Sequence, residues 1–206
     1  LVIVGNFKQE EIFEEIKKRI IKEENSTIAR KVFDEEPKKI NKKEIIENMD
    51  VNIPLFILGI KDSININEIL TNNREQIKKS IAIDIILDIL VGNSSKLFNE
   101  LYENGLIFAE ITGLYEYARD YAHIFIQAQS YEYKEVVKRI KEEITYLKEN
   151  GIPKEDFERA KKKNYGMYVR EFEDVSDIGN NFMESFFKGI NPFDLIDESR
   201  NIDIEY

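Results

Sequence analysis

The chain contains no cysteine, no tryptophan and one histidine, His123, among its 206 residues. Without cysteine the protein can form neither a disulfide framework nor a thiolate metal site, and it has no thiol nucleophile. A catalytic zinc ion usually takes three protein ligands, often histidines with a carboxylate, which one histidine cannot supply. We therefore predict that this chain holds no catalytic residues and no metal ligands.

Long apolar runs are also missing. No stretch approaches the roughly 20 consecutive apolar residues that a membrane helix needs. The start, Leu1-Val2-Ile3-Val4-Gly5, lacks the basic segment and the long apolar region of a secretory signal. These absences favour a cytoplasmic protein with no membrane partner. Because the first residue is apolar and is not Met, we also expect the chain to be part of a longer protein.

The charge balance is acidic. Lys and Arg number 30 against 40 Asp and Glu, which gives a formal net charge of -10. Phosphate affinity is carried mainly by concentrated Lys and Arg, so this balance argues against a nucleic-acid partner. The basic clusters Lys38-Lys39 with Lys42-Lys43, and Lys161-Lys162-Lys163, lie among acidic neighbours. We interpret them as solvated faces.

Hydrophobic periodicity and turn residues predict the order of helices and strands. Alternating apolar residues indicate strands, and apolar residues three or four apart indicate helices. We expect a surface linker over Asn25–Lys43. We predict strands at Leu1–Val4, near Lys43–Asn48, at Ile53–Ile60 and in a hairpin up to Gln129. We predict helices at Gln9–Lys22, at Arg74–Val91, from Ser94 or Ser95 to Asn104, at Tyr133–Asn150, from Pro153 to about Lys188 with a break near Asp174–Ser176, and from Asn191.

The fold class follows from this order. Strands that would pair are close in sequence, and repeated strand–helix–strand crossovers are missing, which is typical of antiparallel sheets. We therefore predict an α+β fold, with an antiparallel sheet and helices packed mainly on one face. No tandem repeat or low-complexity segment divides the chain, so we expect residues 1–206 to form a single domain.

An aromatic face is predicted on the second strand of the hairpin. Tyr121, His123 and Phe125 alternate there with small and aliphatic residues. In the simpler interpretation, the histidine is half-buried and makes an ordinary hydrogen bond, and the rings pack on the sheet. The functional alternative is that the three side chains line the wall of a cavity.

Paired carboxylates are the other candidates for chemistry. Asp84 and Asp88 lie four residues apart, so both fall on one face of a predicted helix, as an acid and base pair would. We interpret them instead as the single solvated stripe of an apolar helix. We interpret the acidic residues near the end of the chain, Asp194, Asp197 and Glu198, as charges at the start of a helix. No nucleophile elbow, phosphate loop or dinucleotide fingerprint is present.

Four features follow one another in a fixed order. They are an apolar strand ending in Gly5-Asn6-Phe7, the strand Pro54–Lys61, the stretch Gly92–Leu106, and Gly151-Ile152-Pro153 before a basic helix. Together they resemble the second, non-catalytic domain of an insulinase (pitrilysin) family zinc metallopeptidase, of the bacterial processing-peptidase-like branch. The resemblance implies the LuxS/processing-peptidase-like metallohydrolase fold.

The family's substrate-binding pair is altered here. In members that retain it, an arginine and a tyrosine of the second domain help to hold the substrate backbone. The arginine position is Tyr102, the tyrosine position is Phe108, and one residue is missing between them. The resemblance therefore does not carry the pair over. The candidate substrate-binding residues are Tyr102, Phe108, Tyr121, His123 and Phe125.

The family's zinc motif, His-x-x-Glu-His, is not found in this sequence, so the resemblance implies zinc in an upstream domain and no cofactor in this chain. It implies a non-catalytic domain of a zinc metalloendopeptidase that helps to enclose peptide substrate. The expected partners are the upstream catalytic domain and a second subunit in a homo- or heterodimer. The alternative is a scaffold or inactive partner subunit without peptidase activity. We disfavour a free-standing enzyme that uses carboxylates alone.

Overall fold

The computed structural model describes residues 1–20, 37, 39–62, 73–118 and 121–206. The sheet in this part of the chain has three antiparallel strands in the order β1-β3-β2. The central strand β3 pairs with β1 from Leu55↔Gln129 to Asp62↔Ala122, and with β2 from Thr112↔Gln127 to Tyr117↔Ala122. The strands are β1 (Leu55–Asp62), β2 (Thr112–Tyr117) and β3 (Ala122–Gln129).

Helices make up most of the remaining described chain. They are α1 (Gln9–Arg19), α2 (Asn73–Val91), α3 (Lys96–Glu103), α4 (Tyr133–Asn150), α5 (Lys154–Arg170), α6 (Val175–Lys188) and α7 (Pro192–Asn201). None of these helices combines the length and apolar character that crossing a bilayer requires.

One face of the sheet packs against helices. Phe56, Ile126 and Ala128 point to this side and join a buried cluster with residues of α2, α3 and α4. Gly113 lets β2 approach α2 closely, because a Cβ there would lie 3.1 Å from the Leu87 side chain. Apolar residues at alternating positions therefore place the core between the sheet and a layer of helices.

Helix α2 is shared by two cores. Its side that faces the sheet joins the first cluster, and Ile77, Ile81 and Ile85 join a second cluster with Phe157 and Ala160 of α5. A helix that is apolar over most of its circumference is expected to be buried on both sides.

Local signals fix the ends of several helices. The Ser95 hydroxyl accepts a hydrogen bond from the Phe98 amide at 3.1 Å and caps α3 as predicted. Gly151 ends α4 with a φ of 77°, in the left-handed region that glycine tolerates best. The Asn191 side chain caps α7, where Pro192 takes the first helical position.

The predicted fold class is confirmed: the protein is α+β, with an antiparallel sheet whose helices lie on one side. Two strand predictions are wrong. Residues 1–4 are not in a strand, with Leu1 97% exposed, and residues 43–48 are exposed without regular structure. An apolar run forms a strand only when another strand pairs with it, and the described part of the chain offers these residues none. Residues 21–22 and most of the predicted linker lie outside the described residues.

Candidate functional site

The second face of the sheet is not covered by any helix in the described part of the chain. We call it the open face. Its apolar members include Ile57, 63% exposed, and Leu114, 44% exposed. Side chains alternate along each strand, so this face carries the residues that do not point to the core. The open face consists of Leu55, Ile57, Gly59 and Lys61 of β1, Thr112, Leu114 and Glu116 of β2, and Tyr121, His123, Phe125, Gln127 and Gln129 on or beside β3.

Three of the predicted site residues form a ladder along the open face. The Tyr121 and His123 rings stack with centroids 5.7 Å apart, and the Phe125 ring follows 6.3 Å from His123. The interplanar angles are 29° and 31°. Aromatic rings at these distances attract each other and are held in place on a rigid strand. The structure therefore brings Tyr121, His123 and Phe125 together.

Charged residues cross one end of the open face. Lys61, His123 and Glu116 lie opposite one another on the three strands. The Nε2 atom of His123 is 3.5 Å from Oε2 of Glu116, and the Lys61 ammonium donates to the Pro37 carbonyl at 2.6 Å. Both signs of charge are present, so this end favours neither anions nor cations strongly.

The other two predicted site residues lie apart from the ladder. Tyr102, 57% exposed at the end of α3, stacks on Phe98 with centroids 6.0 Å apart. Phe108 meets Tyr131 edge-on at 5.9 Å, just beyond the end of β3 opposite to Tyr121. Their ring contacts are thus with Phe98 and Tyr131 and not with the ladder. The structure does not gather all five predicted residues into one site.

The described residues do not fit a catalytic zinc ion. Among the described residues, His123 pairs with one carboxylate, that of Glu116, whereas a zinc site takes three protein ligands. Within the described ranges, no group of three or more histidine, aspartate or glutamate side chains could hold a metal. We therefore assign no metal chemistry to the open face.

A cavity lies on the side of the sheet that the helices cover, between β2 and helices α2, α5, α6 and α7. It measures about 400 Å³, and its walls include Asp84, Tyr117, Tyr168 and Lys188. The Tyr168 hydroxyl donates to Asp84 at 2.6 Å. Burial raises the pKa of Asp84 to about 6, although the Tyr168 hydrogen bond and Lys188 oppose the rise. Burial likewise raises the pKa of Tyr168 and of Tyr117.

The prediction that Asp84 and Asp88 form a solvated stripe is wrong. Asp88 is buried and forms ion pairs with Arg159, at 3.0 Å, and with Lys163 of α5. Lys163 is therefore not part of a purely solvated face either. The sequence held a signal that we did not use: Arg159 and Lys163 are four residues apart, so both lie on one face of α5. Two cations on one helix face can reach a single carboxylate of a neighbouring helix, and here both contact Asp88.

The acidic residues near the end of the chain divide between two roles. Asp194 lies in the first turn of α7, as predicted for a helix-start charge. Glu198 is buried instead and lies 3.6 Å from the Arg74 guanidinium at the start of α2. This contact joins α7 to α2, so Glu198 contributes to packing between helices.

This architecture recurs in solved structures of other proteins. The chain superposes on a protease from Helicobacter pylori with a TM-score of 0.71, over 96% of this chain and 50% of that chain, at 17% identity. It superposes on an M16-like peptidase from Alicyclobacillus acidocaldarius with a TM-score of 0.66, over 75% of this chain and 36% of that chain, at 22% identity. At these identities the likeness establishes the fold, which is that of M16-like peptidase domains.

The family described as the peptidase M16 inactive domain matches residues 1–164. The chain belongs to this family, which confirms the predicted resemblance to a non-catalytic insulinase-family domain. The uncharacterized zinc protease YmfH of Bacillus subtilis (strain 168) is 25% identical over 210 residues, 100% of this chain and 47% of that protein. The chain spans about half the length of this curated relative.

Proposed function

We propose that this chain is the non-catalytic domain of a zinc-dependent metalloendopeptidase, where it helps to enclose peptide substrate and to assemble subunits. The catalytic zinc site belongs to another domain of the same protein. This chain supplies area for docking and a wall that keeps bulk water and large folded proteins away from the cleavage site.

One observation carries the proposal: the helices among the described residues cover only one face of the sheet. The open face presents Ile57, Leu114 and the Tyr121–Phe125 ladder to its surroundings. Exposed apolar and aromatic surface rimmed by polar groups usually marks an interaction site. A wall of this chemistry suits peptides, because rings give contact area while hydroxyl, amide and imidazole groups give hydrogen bonds.

The test separates this chain from the rest of its reading frame. The complete protein, the region that precedes residue 1 and the 206-residue chain are produced separately, and zinc content and cleavage of a fluorogenic peptide are measured. We expect zinc in the complete protein and in the preceding region, but not in this chain. Adding this chain to the preceding region should raise cleavage about tenfold or more, because the substrate is then confined.

Two results would contradict the proposal. One is stoichiometric zinc with turnover in this chain alone. The other is a preceding region that cleaves the peptide as fast alone as in the complete protein, since this chain would then confine nothing.

A second candidate function is a scaffold or inactive partner subunit with the same fold. It is favoured by Tyr102 and Phe108, which stand where better-known members of the family carry a substrate-binding arginine and tyrosine. Zinc analysis of the complete protein distinguishes the two candidates. A parent that binds zinc and cleaves peptides supports the first, and a parent that does neither supports the second.

A further inference from the structure

The open face has a gap at its centre. Gly59 lies midway along β1, opposite Phe125, and a Cβ built at Gly59 would meet no atom of the described residues within 4 Å. Its neighbours on the same face, Ile57 and Lys61, are each two residues away, about 7 Å along the strand. A glycine inside a strand often marks a place where a ligand or another backbone approaches closely. The gap is therefore a recess of about the width of one side chain.

The recess lies in an apolar row. Gly59, Phe125 and Leu114 face one another across the three strands. One neighbouring row is mixed, with Ile57, Gln127 and Thr112, and the other is charged, with Lys61, His123 and Glu116. Two apolar side chains beside a glycine match a large apolar side chain of a ligand, and the polar groups of the neighbouring rows match its main-chain amides and carbonyls.

The size of the open face decides between a peptide and a folded partner. Strand β1 has eight residues, which is a length of about 27 Å, and three strands span about 14 Å. The resulting area of about 400 Å² is half of the ~800 Å² that each partner buries in a stable protein–protein interface. The open face in the described part of the chain thus suits a single extended segment.

We propose that the open face binds an extended peptide of about eight residues and seats one large apolar side chain over Gly59, against the Phe125 ring. This inference rests on the proposed function, which supplies peptide as the ligand, and it adds the residue that sets the preference. Seating a phenylalanine side chain in place of alanine removes enough apolar surface from water to strengthen binding about tenfold or more.

The first experiment compares two probes. One is a fluorescein-labelled, end-blocked peptide of eight residues built from serine and glycine with one central phenylalanine, and the other replaces the phenylalanine with alanine. Binding to the 206-residue chain is followed by fluorescence anisotropy. We expect the phenylalanine peptide to bind at least about tenfold more tightly. Equal binding of the two peptides would overturn the inference.

The second experiment fills the recess. Gly59→Val places a side chain where the peptide's ring would lie, and the described residues around Gly59 leave room for it. Urea unfolding verifies that the variant folds. We expect Gly59→Val to remove the preference for the phenylalanine peptide. The control is Gly166→Ala, because Gly166 lies on α5 and a Cβ built there also meets no described atom within 4 Å. A preference that survives Gly59→Val would overturn the inference.

Two further measurements distinguish peptide binding at the open face from self-association of the chain and from the peptidase activity of the complete protein. Self-association of the chain, measured by sedimentation and abolished by Gly59→Val, would identify the open face as a dimer interface and overturn the inference. The cleavage assay of the complete protein is scored independently. If the complete protein cleaves peptides but the 206-residue chain binds both probes equally, this inference alone is wrong. If the complete protein is inactive, the proposed function is wrong.

Discussion

The two faces of one sheet differ in what they contact, although they share the same three strands. Ile126 and Phe125 are consecutive in β3, yet Ile126 is 0% exposed in the core while Phe125 lies on the open face. On the covered side, buried carboxylates pair with cations of another helix. On the open side, rings stack along one strand, and a glycine leaves a recess. The covered face maintains the fold, and the open face is available for binding.

The largest expected effect comes from deleting a core side chain. Ile126→Ala should lower the free energy of unfolding by about 3 to 4 kcal/mol, because it leaves a cavity that the surrounding helices cannot fill. Phe125→Ala should cost less, about 1 kcal/mol, since a half-buried ring on the open face loses fewer contacts than a core side chain. Urea titrations followed by circular dichroism measure both. Equal losses would show that the open face is as much a core as the covered one.

The second prediction concerns pH on the covered side. Burial raises the pKa of Asp84 to about 6 in the folded chain, from an ordinary value of 3.8. Folding therefore favours the protonated carboxyl. Its contribution to stability is complete below about pH 4 and is lost as the pH rises through about 6. The loss amounts to about 2 to 3 kcal/mol.

Asp84→Asn tests this directly, because the amide cannot titrate and can still accept the Tyr168 hydrogen bond. The free energy of unfolding of the variant minus that of the wild type should increase by about 2 to 3 kcal/mol between about pH 4 and pH 7. Tyr168→Phe is the companion variant. It removes the bond that lowers the pKa of Asp84, so its stability should fall more steeply over this interval. A pH-independent difference for Asp84→Asn would refute the raised pKa.

Sequence reasoning located the helices well, because their signals are local. We predicted Tyr133–Asn150, and α4 has these bounds, since an amphipathic repeat precedes a glycine that adopts φ 77°. The second helix was predicted at Arg74–Val91 and begins one residue earlier. Alternation along β3 likewise separated its two faces without any knowledge of its neighbours.

The errors came from partners distant in sequence. Leu1–Val4 has the composition of a strand, but no property of those four residues provides the second strand that pairing needs. Asp84 is 84 residues from Tyr168, so its burial follows from how two helices pack. The five candidate site residues showed the same limit. Tyr121, His123 and Phe125 lie on one strand, so their proximity could be predicted, whereas Tyr102 and Phe108 were taken from the positions of a family motif, which does not give their distance from that strand.

A pair of glycines gives the smallest expected effects and the sharpest comparison of the two faces. Gly113 faces α2, where a built Cβ would lie 3.1 Å from Leu87 and 3.2 Å from Val91, whereas a Cβ at Gly59 would meet nothing within 4 Å among the residues that the structure describes. Gly113→Val should lower the free energy of unfolding by about 1 to 3 kcal/mol through overpacking. Gly59→Val should be neutral or stabilise the chain by about 0.5 to 1 kcal/mol, because valine restricts the unfolded backbone and favours strands.

The two variants share one substitution and one sheet, so differences in β-propensity largely cancel between them. Urea unfolding gives the free energy of unfolding of each variant, and the two values can be compared directly when both variants have the same m-value. The difference between them reports what covers each face. If Gly59→Val destabilised the chain as much as Gly113→Val, some part of the protein would already occupy the recess, and the open face would belong to the core. If only Gly113→Val destabilises, the recess at Gly59 is free in the folded chain, which is the condition that any ligand of this face requires.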